Sequence, residues 1–109
     1  MRLTQEQING IIVAITPYIK GSQAELRLYG SRVNDQLKGG DIDLLLSTKE
    51  INLAADILDN KHYLLSSIKQ KIGDQKIDLL ITTTSALKTD AFLQMILPTS
   101  QVLKKWAKQ

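Results

Sequence analysis

Three aspartates and a Gly-Ser pair are the residues of this chain whose types and spacing fit chemistry. Leu28-Tyr29-Gly30-Ser31 is followed, after nine residues (32–40), by Asp41-Ile42-Asp43. A third acid, Asp78, lies inside the apolar run Lys76-Ile77-Asp78-Leu79-Leu80-Ile81. Carboxylates in strand-like runs cost stability unless something compensates them, and a divalent cation is the usual compensation. A glycine and a serine at a strand end suit a phosphate. The two groups of residues together describe a metal-nucleotide site.

Side chains two apart on a strand share a face, so Asp41 and Asp43 project together while Ile42 points the other way. Asp78 joins them if its strand pairs with theirs. Three carboxylates this close repel one another and hold their protons more tightly unless a cation is present. Two Mg²⁺ ions ~3.5–4 Å apart would bridge such acids and the phosphates of a nucleotide. Gly30 lets the backbone approach a phosphate, and a helix start at Ser31 offers free N–H groups. The Ser31 hydroxyl suits a phosphate oxygen, and Arg32 and Lys38 add charge to the same place.

Each of these residues has a blander reading. Asp41 caps a turn after Gly39-Gly40, which leaves Asp43 unexplained. Asp78 pairs with Lys76 if both lie on the exposed face of an edge strand. Asp74, after Gly73, reads as a solvated turn residue. Ser31 serves as a helix N-cap, a role compatible with phosphate binding. His62 reads as a surface residue, and Trp106 as packing or a partner contact.

The elements that must position these groups are legible. Thr4 with Gln7 forms a capping box, and Leu3 with Ile8 a hydrophobic staple. Ile8, Ile11, Ile12, Ile15 and Ile19 recur at helical spacing, with Pro17 ending or kinking the helix and Gly21 closing it. Residues 24–29 alternate as a strand, and Gly30 breaks it. A short helix or turn is expected over Arg32 to Leu37. Asp41 to Ser47 is a second strand, and Leu44-Leu45-Leu46 is apolar on both faces, as in the interior of a sheet. Asn52 to Ile72 is helical, with Asp59-Asn60 as its weak point and Gly73 as its stop. Lys76 to Thr83 is a third strand. A last helix covers about Asp90 to Leu97 and ends at Pro98, and Val102 and Leu103 add a short final element. The alternation predicts an α/β domain of the α+β type: a small mixed three-stranded sheet covered by helices.

The chain has 109 residues, 43% of them hydrophobic, which fits one domain over 1–109 with a modest core. Little surface remains for a second substrate domain, so an acceptor held partly by another chain is expected. With no cysteine, disulfides and thiolate metal sites are excluded. Met1-Arg2-Leu3-Thr4-Gln5 leads straight into a helix start rather than a leader peptide, and no run has the ~18 apolar residues that span a bilayer. A cytoplasmic protein without a membrane partner is the expectation. The net charge of +3 and pI of 9.2 are mild and describe mostly a solvated surface, with no more than a weak attraction to nucleic acid or an acidic partner, and nucleic acid is not the expected partner.

Taken in order, Gly30-Ser31, Asp41-x-Asp43 and the later strand acid Asp78 resemble the motif of the DNA polymerase beta nucleotidyltransferase superfamily. The stretch YGSRVNDQLKGGDIDLLL is most similar to its minimal nucleotidyltransferases. The resemblance spans residues 24–83 by motif and the whole chain by element order. It implies a polymerase beta palm-like fold, with Asp41, Asp43 and Asp78 as catalytic metal ligands. Asp78 would help to deprotonate the acceptor hydroxyl, and Gly30 and Ser31 would bind the nucleotide phosphates; Arg32, read from its own charge, is the further nucleotide-binding candidate and equally a surface residue. It also implies Mg²⁺ as cofactor, a nucleoside triphosphate (ATP) as substrate, and a small all-helical HEPN protein as partner. Many such pairs are toxin–antitoxin modules in which AMP is transferred to a toxin tyrosine. Three other functions compete with the enzyme: a stoichiometric, non-catalytic antitoxin, a nucleotide-binding subunit of a two-chain small-molecule transferase, and a basic nucleic-acid binder. Homo- or hetero-oligomers are compatible with these readings.

Overall fold

The computed structural model describes residues 3–33 and 41–109. Helix α1 (Gln5–Ile19) leads into strand β1 (Ala24–Tyr29) and a 3₁₀ turn (Gly30–Val33). Strand β2 (Ile42–Thr48), helices α2 (Ile51–Asp59) and α3 (Lys61–Ile72) and strand β3 (Ile77–Thr83) follow. Helices α4 (Thr84–Thr89) and α5 (Ala91–Ile96), a 3₁₀ turn (Leu97–Thr99) and strand β4 (Gln101–Trp106) complete the order.

Among the described residues the sheet has four strands in the order β3-β2-β1-β4, not the expected three. It is mixed, as expected: β2 runs antiparallel to β1 and parallel to β3, and β4 runs antiparallel to β1. The extra strand is the segment expected to give only a short element at Val102 and Leu103. Its pattern is weak because it lies at an edge, with only Leu103 and Trp106 partly buried. Its register against β1 shifts between Leu26 and Arg27, and the Trp106 indole N–H donates to Thr16 Oγ1 at 3.1 Å.

The expected capping box is present: the Gln7 N–H donates to Thr4 Oγ1 at 3.1 Å, and the Thr4 N–H donates to Gln7 Oε1 at 3.0 Å. α1 passes through Pro17 and ends at Ile19, followed by left-handed Lys20 (φ 55) and Gly21 (φ 73). The single helix expected over 52–72 is two, split at Asn60, whose side-chain amide donates to the Asp56 carbonyl at 2.9 Å. α4 was not expected; it buries no residue and so leaves no apolar stripe to read. The turn expected over 32–37 is seen only as the 3₁₀ turn through Val33; residues 34–40, including Lys38 and Gly39-Gly40, lie outside those described.

One face of the sheet carries the main core. Leu26 and Leu28 of β1, Ile42, Leu44 and Leu46 of β2 and Leu79 of β3 pack against Ile11, Ile15 and Ile19 of α1 and against α2 and α3. The opposite face is thinner. There Tyr29, Leu45 and Leu93 form a small cluster under α4, α5 and the second 3₁₀ turn. Burial on both faces explains why Leu44, Leu45 and Leu46 are all apolar: each is at most 1% exposed, in the interior strand that the run predicted.

Candidate functional site

β2 opens at Ile42, whose N–H donates to the Lys76 carbonyl at 3.1 Å and starts the parallel ladder with β3. The register then sets Asp43 directly beside Asp78, and on its other side β1 sets Tyr29 beside Asp43. Directly paired residues share a face and stand about 4.5–5.5 Å apart across neighbouring strands. Tyr29, Asp43 and Asp78 therefore form one row across three strands, on the thinly covered face. Asp41 precedes β2 and is only partly buried, at the same end of the sheet. Its carboxylate lies 3.7 Å from Lys76 Nζ, a lysine whose side chain is 83% exposed, so that pair is weak. The alternative pairing of Asp78 with Lys76 is not seen among the described contacts; Lys76 turns to Asp41.

Gly30 shapes the row. Its φ is +76, a left-handed conformation that side-chain-bearing residues rarely adopt. A Cβ there would collide with Asp43 Oδ2 and stand 3.3 Å from Asp43 Cγ. The carboxylate of Asp43 thus occupies the space that any other residue at 30 would fill. Ser31 follows in the same 3₁₀ turn, with its side chain outside what is described, and Arg32 is half-buried in the turn.

Electrostatics follow from this crowding. Asp43 holds its proton above the ordinary value of 3.8, first because it is buried, then because of the charges of Asp78 and Asp41. Burial, followed by the charges of Asp78 and Asp43, pushes the Tyr29 hydroxyl up to about 12. A titration follows from the second shift. Between pH 10 and about 12 the folded protein keeps a proton that the unfolded chain releases. The stability contributed by neutral Tyr29 is full below pH 10 and is lost as pH rises towards 12. Denaturant midpoints measured on either side of that window should therefore fall more steeply with pH for the native protein than for Tyr29→Phe.

Among the described residues no three His, Cys, Asp or Glu side chains are gathered closely enough to hold a metal ion by themselves. The donor set nevertheless fits Mg²⁺, which takes hard oxygen ligands. It is commonly bound by one or two carboxylates, with water and substrate phosphates completing its shell. Asp43 and Asp78 would supply those carboxylates, with Asp41 at the entrance to β2.

Two residues here were not singled out from sequence. Tyr29 could have been: an antiparallel β1–β2 pair puts the residue before Gly30 near the first acid of β2. Phe92, whose ring meets Tyr29 edge-on at 6.4 Å and 82°, stands with Met95 and Ile96 at the spacing expected of a core, yet Phe92 is 48% and Met95 67% exposed. His62 is exposed on α3, its ring against Tyr63 at 4.0 Å, whereas the carboxylates lie on or beside the strands β2 and β3. No helix among the described residues is long and apolar enough to cross a membrane. Compared with family models, with curated proteins and with solved structures, the chain matches none, so the row of Tyr29, Asp43 and Asp78 is interpreted on its own chemistry.

Proposed function

We propose that this chain is a Mg²⁺-dependent nucleotidyltransferase with a palm-like fold. It moves a nucleoside monophosphate, AMP from ATP, to a hydroxyl of a partner protein. The partner is a small helical protein of the HEPN type, and the pair works in the cytoplasm as an antitoxin and its toxin. The observation that carries the reading is the contact between Gly30 and the Asp43 carboxylate, with Asp78 next to Asp43 in register. That contact joins the two halves of the motif at one point.

Asp43 and Asp78 hold the divalent ion, with Asp41 beside them, and two such ions are expected once the triphosphate is present. The ion supplies charge neutralisation at the phosphates. The chain's own groups do the rest. The turn through left-handed Gly30 and the Ser31 backbone brings N–H groups towards the phosphate tail. Asp78, the more exposed acid of the row, takes the proton of the acceptor hydroxyl. The acceptor oxygen forms a bond to the α-phosphorus, the bond from that phosphorus to the bridging oxygen breaks, and pyrophosphate leaves with the electron pair.

The test is direct. The purified protein, its co-purified partner, Mg²⁺ and α-labelled ATP are incubated, and label is expected on the partner. Mg-ATP alone should also raise the melting temperature. A ligand at 100 times its Kd adds about 2.7 kcal/mol, and each kcal/mol is worth roughly 4–8 °C in a domain near this size. Absence of the thermal shift at saturating Mg-ATP would remove the site. A shift without transfer favours the second reading, a non-catalytic binding antitoxin. That reading is favoured by one observation, that Asp41, Asp43 and Asp78 do not close into a complete metal cluster.

A further inference from the structure

Beyond Asp78, β3 runs along an open groove of about 230 Å³, lined by Leu80, Ile81, Thr82, Asp90, Phe92 and Leu93. Its first lining residue on the carboxylate face is Leu80, two positions after Asp78 and so about 7 Å along the strand. Leu80 pairs in register with Leu45, which is 1% exposed, yet Leu80 itself is only partly buried. The difference arises because β3 is an edge: among the described residues β2 is its only strand neighbour. On the far wall Phe92 is 48% exposed, an unusual state for a large apolar ring, while its edge-on contact with Tyr29 fixes its orientation. Met95, one turn later on α5, is 67% exposed.

The groove's chemistry selects which part of a nucleotide enters it. It has no cationic lining residue, and Asp90 contributes a carboxylate, one oxygen of which accepts from the Leu93 N–H at 3.0 Å. A phosphate would be repelled there. A flat heteroaromatic ring would gain an aromatic face, two aliphatic walls and the outward-facing backbone groups of the edge strand, which can meet ring nitrogens and exocyclic groups. We infer that this groove, between the free edge of β3 and Phe92, receives the nucleobase while the phosphates lie at Gly30 and the Asp43–Asp78 pair. The inference rests on the nucleotidyl-transfer reading and adds to it a base-binding subsite and its stacking residue.

Binding of two probes tests it. Mg-ATP and Mg-tripolyphosphate share the phosphate tail, and only the first has a base. The native protein should bind Mg-ATP more tightly. Phe92→Ala should weaken Mg-ATP about tenfold, as expected for a lost base–aromatic stack, and leave Mg-tripolyphosphate unchanged. Phe92→Trp should restore the difference. Thr82→Gln, which fills the groove without touching the Tyr29–Phe92 contact, should repeat the selective loss. Equal weakening of both probes by Phe92→Ala, or no effect on either, overturns the base site while the transfer reading stands. If neither probe binds the native protein, the phosphate site itself is refuted and the base site goes with it.

Discussion

Asp43→Asn is expected to abolish the proposed nucleotidyl transfer and, in the absence of metal, to make the protein more stable at neutral pH. Both effects come from one cause. Asp43 is the central member of the row, between Tyr29 and Asp78, and its charged form is disfavoured by burial, by Asp78 and by Asp41, in that order. An amide keeps the shape and removes the repulsion. On the proposed function it also removes a metal ligand worth several kcal/mol to the transition state, so a loss of about a thousandfold or more in rate is expected. The pH dependence has a definite sign. A raised carboxylate pKa means the folded state holds a proton that the unfolded chain has already given up, in the window just above 3.8. The native protein therefore gains stability as pH falls through that window, and Asp43→Asn lacks this gain. Label transfer and melting curves across the acid range measure the two halves. A variant that is inactive and also less stable at neutral pH would show that Asp43 is held by favourable contacts, contrary to the crowding described.

Gly30→Ala should destabilise the fold and disable the site together. Forcing an L-residue into the left-handed region costs about 1–2 kcal/mol, and the new methyl has no room beside Asp43 Oδ2. Relief requires either the turn or the carboxylate to move, so Asp43 leaves its alignment with Asp78. A fall in melting temperature of several degrees is expected, with loss of the Mg-ATP thermal shift. Gly73→Ala is the control: that glycine also has positive φ (+94), but a Cβ there meets nothing within 4 Å. It should lower stability and leave nucleotide binding intact. If Gly30→Ala retained full Mg-ATP binding, the contact with Asp43 would have no functional meaning.

Local chemistry made much of this legible. Thr4 and Gln7 form the box their spacing predicts, β1 has the expected bounds, and the Leu44–Leu46 run is interior. The two-residue period of a strand sets Asp41 and Asp43 on one side only if both lie in it, and β2 begins one residue late, at Ile42. Asp78 comes beside Asp43 alone, through the parallel pairing of β2 with β3 that the sequence only allowed as a condition. What stayed hidden depends on distant partners. β4 shows little apolar pattern because Lys104 and Lys105 face water, and its definition comes from pairing with β1. α4 buries no residue fully and covers only Ala86 and Leu87 in part, so its apolar pattern was too slight to read. The groove beside Phe92 exists only because β3 lacks an outer neighbour, a property of topology rather than of any short stretch of residues.

The lateral pairing of β4 with β1 has a consequence for biosynthesis. β1 carries Tyr29 and leads into Gly30, yet one of its two neighbours is translated after every other described element. At about 5–20 residues per second the nascent chain spends seconds with that flank of β1 bare. Completion of the sheet around Tyr29 and Gly30 is thus timed by the ribosome's arrival at residues 101–106, and a chaperone or partner that reaches the bare flank first competes with β4.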